Sequence, residues 1–273
     1  MTLLVVGGSG HLGGELCRQA LSGGSAVVAT YSRTPGRVPG VRWERLDIRD
    51  SAAVAALFDA VRPSTVVNAA SDYRDWTVTA DGAGFVAARS ARLGARLVHV
   101  SSDALHSGRP QPYLDDERPS PVTPYGAAKA AAETAARVVD PAAVIARTSL
   151  IMGDADSKQV RLCLDLLSGA TAGAFFSDEY RCPIDVSDLA AAVLELAGGD
   201  YAGLINIAGP DAVSRAELGQ LVAKRYDLDA SAMAVQTLAE SGLVRPAEVR
   251  LDISRAQSTL HTTLRGVHEV LAH

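Results

Sequence analysis

Near its start the chain reads Leu3-Leu4-Val5-Val6-Gly7-Gly8-Ser9-Gly10-His11-Leu12-Gly13. The apolar run predicts a buried strand, and helical spacing of apolar residues predicts a helix from His11 to Leu21. In a Gly-x-x-Gly-x-x-Gly turn, Gly7 permits a tight turn, Gly10 lets the backbone approach a pyrophosphate, and Gly13 lets the helix pack closely. A glycine-rich turn without a ligand is the alternative, but its place between strand and helix favours a dinucleotide site.

The alternation of short apolar runs with helical patterns continues to about residue 150. Further strands are predicted at residues 26–29, 41–46, 65–67, 96–100 and 143–146, and helices at residues 51–60, 85–93 and 125–138, with Ser51 as a helix cap. Apolar strands that alternate with helices indicate parallel strands covered on both faces. The sequence therefore predicts an α/β protein with a Rossmann doubly wound parallel sheet.

After Leu150 this alternation gives way to a different pattern. A loop is predicted at residues 153–157, helices at 160–167, 185–196, from Ser214 and near the C-terminus, and a strand at 204–207. We assign residues 1–150 and 184–207 to a Rossmann domain that binds the dinucleotide. Residues 151–183 and 208–273 are assigned to a smaller C-terminal α/β substrate-binding lobe.

Composition and charge narrow the classes of partner. The net charge is −5 and the sequence has no Lys/Arg run, which argues against nucleic acid and favours a small-molecule substrate. Cys17, Cys163 and Cys182 show no Cys-x-x-Cys or zinc-ligand spacing, so we expect no metal and a reducing compartment. No apolar run is long enough to span a membrane, and the start does not resemble a signal peptide. We expect a cytoplasmic protein that does not bind membranes.

The end of the second predicted strand bears on the choice of cofactor. NAD sites usually place Asp or Glu there, but this chain reads Thr30-Tyr31-Ser32-Arg33. Arg33, beside Ser32, could pair with the 2′-phosphate of NADP, so NADP is favoured and NAD is less expected. The alternative is that Arg33 is only a solvated loop residue. Asp47, next to Ile48, could hold the adenine edge or merely cap the following helix.

Three side chains form a candidate catalytic group. Tyr125 and Lys129 are four residues apart on a predicted helix and so share one face. A ketone that accepts hydride also needs a proton; a tyrosine can supply it, and a nearby ammonium lowers the tyrosine pKa. Ser102 follows the fifth predicted strand, where a hydroxyl can orient a carbonyl, although a Ser-Asp turn that ends a strand is common.

The whole chain resembles the extended short-chain dehydrogenase/reductases, and within them the dTDP-4-dehydrorhamnose reductase branch. The resemblance rests on matching motifs spread along the sequence. They are residues 5–13, Leu46-Asp47-Ile48, Val67-Asn68-Ala69-Ala70, His99-Val100-Ser101-Ser102-Asp103, Pro124-Tyr125-Gly126-Ala127-Ala128-Lys129, Arg147-Thr148-Ser149, residues 182–189, Arg245-Pro246 and Leu251-Asp252-Ile253-Ser254.

The resemblance implies hydride transfer from NADPH to the 4-keto group of a nucleotide-linked deoxysugar. Ser102 would polarise the carbonyl, Tyr125 would donate the proton, and Lys129 would bind the nicotinamide ribose and tune Tyr125. Gly7, Gly10, His11, Leu12 and Gly13 would hold the cofactor phosphates, and Asn68, Ala69 and Ala70 would line the nicotinamide side. Thr148 and Ser149 would border the substrate, with Asp103 and His106 as further candidates. Family members often form dimers, so a homodimer is an assembly that the resemblance allows.

Three departures from the family pattern put the substrate in doubt. Thr79, in Val78-Thr79-Ala80, replaces the family's usual Asn; the segment 71–77 is shorter than usual; and Leu105-His106 replaces an aromatic pair. Two alternatives to a reductase therefore stay open. One is an epimerase or dehydratase on the same scaffold, which would hold its cofactor tightly. The other is a cofactor-binding regulatory subunit without catalysis, against which the intact Ser102, Tyr125 and Lys129 argue.

Overall fold

The computed structural model describes residues 2–155 and 157–272. A parallel sheet of seven strands forms its centre, in the order β7-β6-β5-β4-β1-β2-β3. The predicted doubly wound Rossmann sheet is confirmed. The strands are β1 Thr2–Val6, β2 Ala26–Tyr31, β3 Arg42–Arg45, β4 Thr65–Asn68, β5 Arg96–Val100, β6 Val144–Thr148 and β7 Gly203–Ile207.

Helices cover both faces of this sheet. Within β1, Val5 belongs to the core beneath α1 and α6, whereas Leu4 and Val6 belong to the core beneath α2, α3 and α4. Because side chains alternate across a strand, apolar residues at successive positions supply both cores. The helices are α1 His11–Ser22, α2 Ser51–Val61, α3 Ala83–Leu93, α4 Pro124–Val139, α5 Lys158–Leu167, α6 Val186–Gly198, α7 Arg215–Arg225, α8 Leu238–Ser241, α9 Ser254–Thr259 and α10 Val267–Val270.

The starts of α2 and α3 differ from the prediction in ways that have a structural explanation. Asp50, not Ser51, caps α2, because its carboxylate accepts hydrogen bonds from the amides of Ala52 and Ala53. The helix predicted from residue 85 begins at Ala83 and follows directly on a π-helical turn at Thr77–Gly82. Such turns are often found at functional sites.

The smaller lobe has an apolar core of its own beneath α5 and α7. Two-residue strands frame it: Ile151–Met152 pairs with Ile184–Asp185, Val213–Ser214 with Tyr180–Arg181, and Val235–Gln236 with Phe175–Phe176. Apolar side chains between Val249 and Leu264, within the predicted substrate lobe, pack instead against the core under α1 and α6. In the described ranges, no helix is both long and apolar enough to cross a bilayer.

The strand order places one crevice at the reversal point of the sheet. β1 lies between β2 and β4. The chain therefore adds β2 and β3 on one side of β1, and then crosses over to add β4 and β5 on its other side. In open α/β sheets, ligands bind outside the carboxyl ends of the strands at such a point. The turn after β1 and the segments after β4 and β5 all begin at this edge, because the three strands are parallel.

Candidate active site

The turn after β1 depends on glycine at two positions. Gly7 has a φ of +81°, and a Cβ there would lie 2.8 Å from the backbone of Ala70. A Cβ on Gly13 would lie 2.2 Å from the carbonyl oxygen of Gly7. Thr30, which the sequence analysis did not single out, supports the turn from β2, because its Oγ1 accepts a 3.0 Å hydrogen bond from the Gly7 amide.

The start of α1 fits the phosphates of a dinucleotide. Gly10 is the N-cap and offers no side chain, so no side-chain cap bonds the amides of the first helical turn. Gly7, Gly10, His11, Leu12 and Gly13 line a cleft of about 490 Å³. Free amides and the positive end of the helix dipole favour an anion there. These residues therefore suit the pyrophosphate that the sequence predicts.

Replacing Gly13 with alanine should abolish most dinucleotide binding. The new methyl group would clash with the Gly7 carbonyl, so the turn must open. An open turn would lose the hydrogen bonds that its amides are expected to donate to the cofactor phosphates. Loss of one or two such bonds weakens binding about 10- to 100-fold. Calorimetric titration with NADPH measures this change. Gly14→Ala is the matched control, since its Cβ would meet nothing nearer than 3.9 Å; equal weakening in both variants would contradict the argument.

Four other predicted cofactor residues, Ser32, Arg33, Asp47 and Ile48, differ in their exposure. Ser32 and Arg33 are exposed after β2 and lie outside the lining of the cleft. Asp47 forms an ion pair with Arg49, whose hydrogen bond lowers the pKa of Asp47 to about 2. Ile48 is buried against Gly82. Asp47 does not cap α2, since Asp50 does so.

The segment after β4 is only partly exposed to the cleft. Ala69 lines it, while Ala70 packs against Gly7. Asn68, expected on the nicotinamide side, is buried: its Oδ1 accepts from the Ala70 amide and its Nδ2 lies 3.3 Å from Nδ1 of His99. In this structure Asn68 shapes the backbone of the segment rather than the surface of the cleft.

The structure brings Ser102, Tyr125 and Lys129 together in the cleft. Thr123 caps α4 by accepting from the Gly126 amide, and Pro124 opens the helix. Gly126 packs so tightly on the turn after β5 that a Cβ would lie 2.1 Å from the Ala104 carbonyl. This close approach sets Tyr125 beside Ser102.

The charges around Tyr125 differ from the expectation. Burial raises the pKa of Tyr125, and the neighbouring Tyr73 and Asp103 raise it further. Hydrogen bonds with Ser71 and Ser102 lower this pKa, but by less than burial raises it. Lys129 is buried, its Nζ donates to the Val100 carbonyl at 3.0 Å, and it lies 6.0 Å from the centre of the Tyr125 ring. Burial lowers the pKa of Lys129 to about 8. The expected lowering of the Tyr125 pKa is therefore wrong, because burial raises that pKa.

The predicted substrate residues differ in what they offer to a ligand. Ser102 Oγ accepts a hydrogen bond from the Ala104 amide. Ser102 therefore also forms the turn that ends the strand, which was the alternative to a catalytic role. Ser149 Oγ donates to Asp103 and accepts from the Cys182 amide, and Thr148 Oγ1 is buried without a partner among the described residues. The cleft is lined by Ser102, Asp103, Thr148 and Ser149. His106 does not line it: it is fully buried and stacks on Tyr113, with ring centres 3.9 Å apart.

Sequence reasoning missed a group of charges on the far wall of the cleft. Glu179 is fully buried, and Arg181, Arg215 and Arg245 surround its carboxylate at 3.0 to 3.5 Å. Arg181 also lies 3.6 Å from Asp103. The three arginines exceed the two carboxylates, so this wall carries a net positive charge. Of the three arginines around Glu179, only Arg245 belongs to a motif of the family resemblance, Arg245-Pro246.

A second cavity of about 270 Å³ adjoins this wall in the smaller lobe. Arg215, Arg245 and Gln159 line both cavities. Phe175, Phe176 and other mostly apolar side chains complete the second one. In the described part of the chain, no group of three or more His, Cys, Asp or Glu side chains could hold a metal ion.

Comparisons with known proteins agree with this architecture. SpsK, a spore coat polysaccharide biosynthesis protein of Bacillus subtilis, is 28% identical over 86% of this chain and 83% of its own length. The dTDP-4-dehydrorhamnose reductase of Mycobacterium tuberculosis is 29% identical over 90% of this chain and 81% of its own. The crystal structure of dTDP-4-dehydrorhamnose reductase from Bacillus anthracis in complex with NADP shares the fold, with a TM-score of 0.87, 20% identity and coverage of 99% and 97%.

The family assignment rests on the full length of the chain. The family model for the RmlD substrate binding domain matches residues 1–273, which include the strand–turn–helix start, the Tyr125–Lys129 helix and the smaller lobe. The chain belongs to the RmlD substrate binding domain family.

Proposed function

We propose that this protein is an NADPH-dependent reductase of a keto group, carried by a nucleotide-linked 4-keto-deoxysugar or a related natural-product intermediate. The observation that carries the proposal is the placement of Ser102, Tyr125 and Lys129 in the cleft that begins at the uncapped start of α1. A cofactor held there and a ketone beside Tyr125 would share one enclosed space.

The residues of the cleft have distinct roles in this proposal. NADPH supplies the hydride when bound. The amides at the start of α1 hold its phosphates, and Lys129 holds the nicotinamide ribose. Ser102 orients the ketone oxygen, and Tyr125 donates the proton to that oxygen from its hydroxyl. The raised pKa of Tyr125 keeps the phenol protonated before transfer, as an acid requires.

The arginine wall supports an anionic, activated substrate. Arg215 and Arg245 stand between the two cavities, where they can neutralise a diphosphate that joins a sugar to its nucleotide. The keto sugar would then lie near Tyr125, and the flat base would lie in the second cavity against Phe175 or Phe176. We also propose that the protein acts in the cytoplasm on small molecules, without nucleic acid or membrane partners.

Removing the Arg33 side chain should abolish a preference for NADPH over NADH. Arg33 is exposed after β2, where the 2′-phosphate of NADP is expected. Loss of a charge-assisted contact weakens NADPH binding about 10- to 100-fold and leaves NADH binding unchanged. Separate calorimetric titrations of Arg33→Ala with the two cofactors measure this. Arg92→Ala, an exposed arginine in the last turn of α3, is the control; an unaltered preference in Arg33→Ala would refute the role.

A further inference from the structure

A tyrosine that the proposed function does not use lies directly on Tyr125. The rings of Tyr73 and Tyr125 are stacked, with centres 4.1 Å apart and planes 25° apart. Tyr73 belongs to the segment 71–77 after β4 and is 56% exposed, yet it lines the catalytic cleft. An exposed tyrosine stacked on the proton donor covers that donor at the mouth of the cleft.

A cation from the smaller lobe caps this stack. Lys158 Nζ lies 3.9 Å from the centre of the Tyr73 ring. Since Tyr125 occupies one face of that ring, Lys158 lies over the other. Lys158 is the first residue of α5, whereas Tyr73 follows a strand of the central sheet. The cation–π contact therefore crosses the mouth of the cleft from one lobe to the other.

The segment that carries Tyr73 is fixed from behind by Thr79. The Thr79 Oγ1 accepts a 2.9 Å hydrogen bond from the Asp72 amide and donates a 2.7 Å bond to the Asp72 carbonyl. Thr79 is fully buried in the π-helical turn, so it forms a rigid support for the residue next to Tyr73. The two departures at Thr79 and at the short segment 71–77 are thus parts of one arrangement.

We propose that Tyr73 is a positioning residue for Tyr125, and that the Lys158–Tyr73–Tyr125 stack, supported by Thr79, is a latch across the cleft. The latch holds the Tyr125 phenol toward the ketone and excludes water from it. The effect of the latch on catalysis rests on the proposed reductase function. The latch itself rests only on the contacts described above.

The ring of Tyr73 is the first part to test, with NADPH oxidation on a 4-keto sugar as the assay. Tyr73→Ala should lower kcat about 10- to 100-fold, because a displaced catalytic group loses its alignment. The KM for NADPH should stay unchanged, since the cofactor phosphates lie at the start of α1. Tyr73→Phe, which keeps the ring, should restore most of the kcat. Trp76→Phe, an exposed aromatic of the same segment, is the control. A folded Tyr73→Ala protein with wild-type kcat would overturn the proposal.

Thr79 and Lys158 test whether the latch acts as a unit. Thr79→Val removes both hydrogen bonds to Asp72 at similar volume and should lower kcat in the same way, while Thr79→Ser should restore it. Lys158→Met should lower kcat less, since stacking remains. The double variant Tyr73→Ala/Thr79→Val should be no slower than Tyr73→Ala alone. Additive losses in the double variant would show that Thr79 acts elsewhere and would overturn the proposed support.

Amide hydrogen exchange separates this inference from the proposed function. Thr79→Val and Lys158→Met should speed exchange in residues 71–77 and leave α7 unchanged. If the wild-type protein reduces no ketone, the reductase proposal fails, and this measurement then decides the latch by itself. Unchanged exchange in residues 71–77 of both variants would overturn it.

Discussion

Tyr125→Phe is expected to lower kcat for ketone reduction by about 10²- to 10⁴-fold, the usual contribution of a positioned general acid. The change removes one hydroxyl and keeps the ring that stacks on Tyr73. In the proposed mechanism Ser102 orients the ketone oxygen and does not supply the proton. Steady-state oxidation of NADPH with a 4-keto sugar measures the loss.

Two controls define what this result means. Tyr226→Phe changes a tyrosine at the end of α7, outside the lining of the cleft, and should leave kcat unchanged. The affinity of Tyr125→Phe for NADPH should also stay unchanged, since the proposed site of the cofactor phosphates is the turn after β1. A Tyr125→Phe protein that reduces ketones at the wild-type rate would remove Tyr125 from the mechanism.

Arg147→Met is expected to lower the free energy of unfolding by about 3–5 kcal/mol, because it leaves a buried carboxylate without its partner. Arg147 on β6 is 1% exposed and binds both oxygens of Glu133 on α4, at 3.0 and 2.8 Å. It also donates to the carbonyls of Asp115 and Glu117. The pair therefore joins β6, α4 and the segment that precedes α4.

Denaturant unfolding of three variants tests this pair. The double variant Arg147→Met/Glu133→Leu removes both charges and should recover much of the lost stability, as replacements of buried ion pairs often do. Arg42→Met, from an exposed ion pair with Glu44, should cost less than about 1 kcal/mol. If Arg147→Met costs no more than Arg42→Met, the buried pair does not contribute as argued.

The sequence predicted the sheet well because its signals are local. Residues 3–6 form a continuous apolar run, residues 97–100 are apolar except for His99, and Gly13 packs against the Gly7 carbonyl within the same turn. The same holds for Tyr125 and Lys129, whose spacing on one helix is enough to bring them to one face. Features of this kind need no knowledge of distant contacts.

The remaining features depend on contacts between distant parts of the chain. Glu179, Arg215 and Arg245 come from three separate segments of the smaller lobe, so no spacing in the sequence reveals that they meet. Asn68 is the last residue of β4 and His106 follows β5, but both side chains are buried in the interior. The pKa of Tyr125 was expected to fall beside Lys129, yet burial, which a motif does not show, raises it.

The most informative single measurement is NADPH oxidation by the purified wild-type protein, assayed with a small panel of nucleotide-linked 4-keto sugars. The proposed function predicts that at least one of them is reduced, that Tyr125→Phe loses this activity, and that NADPH is bound more tightly than NADH. A protein that binds the cofactor but reduces none of the panel, with no effect of Tyr125→Phe on any measured property, would contradict it and favour a regulatory subunit.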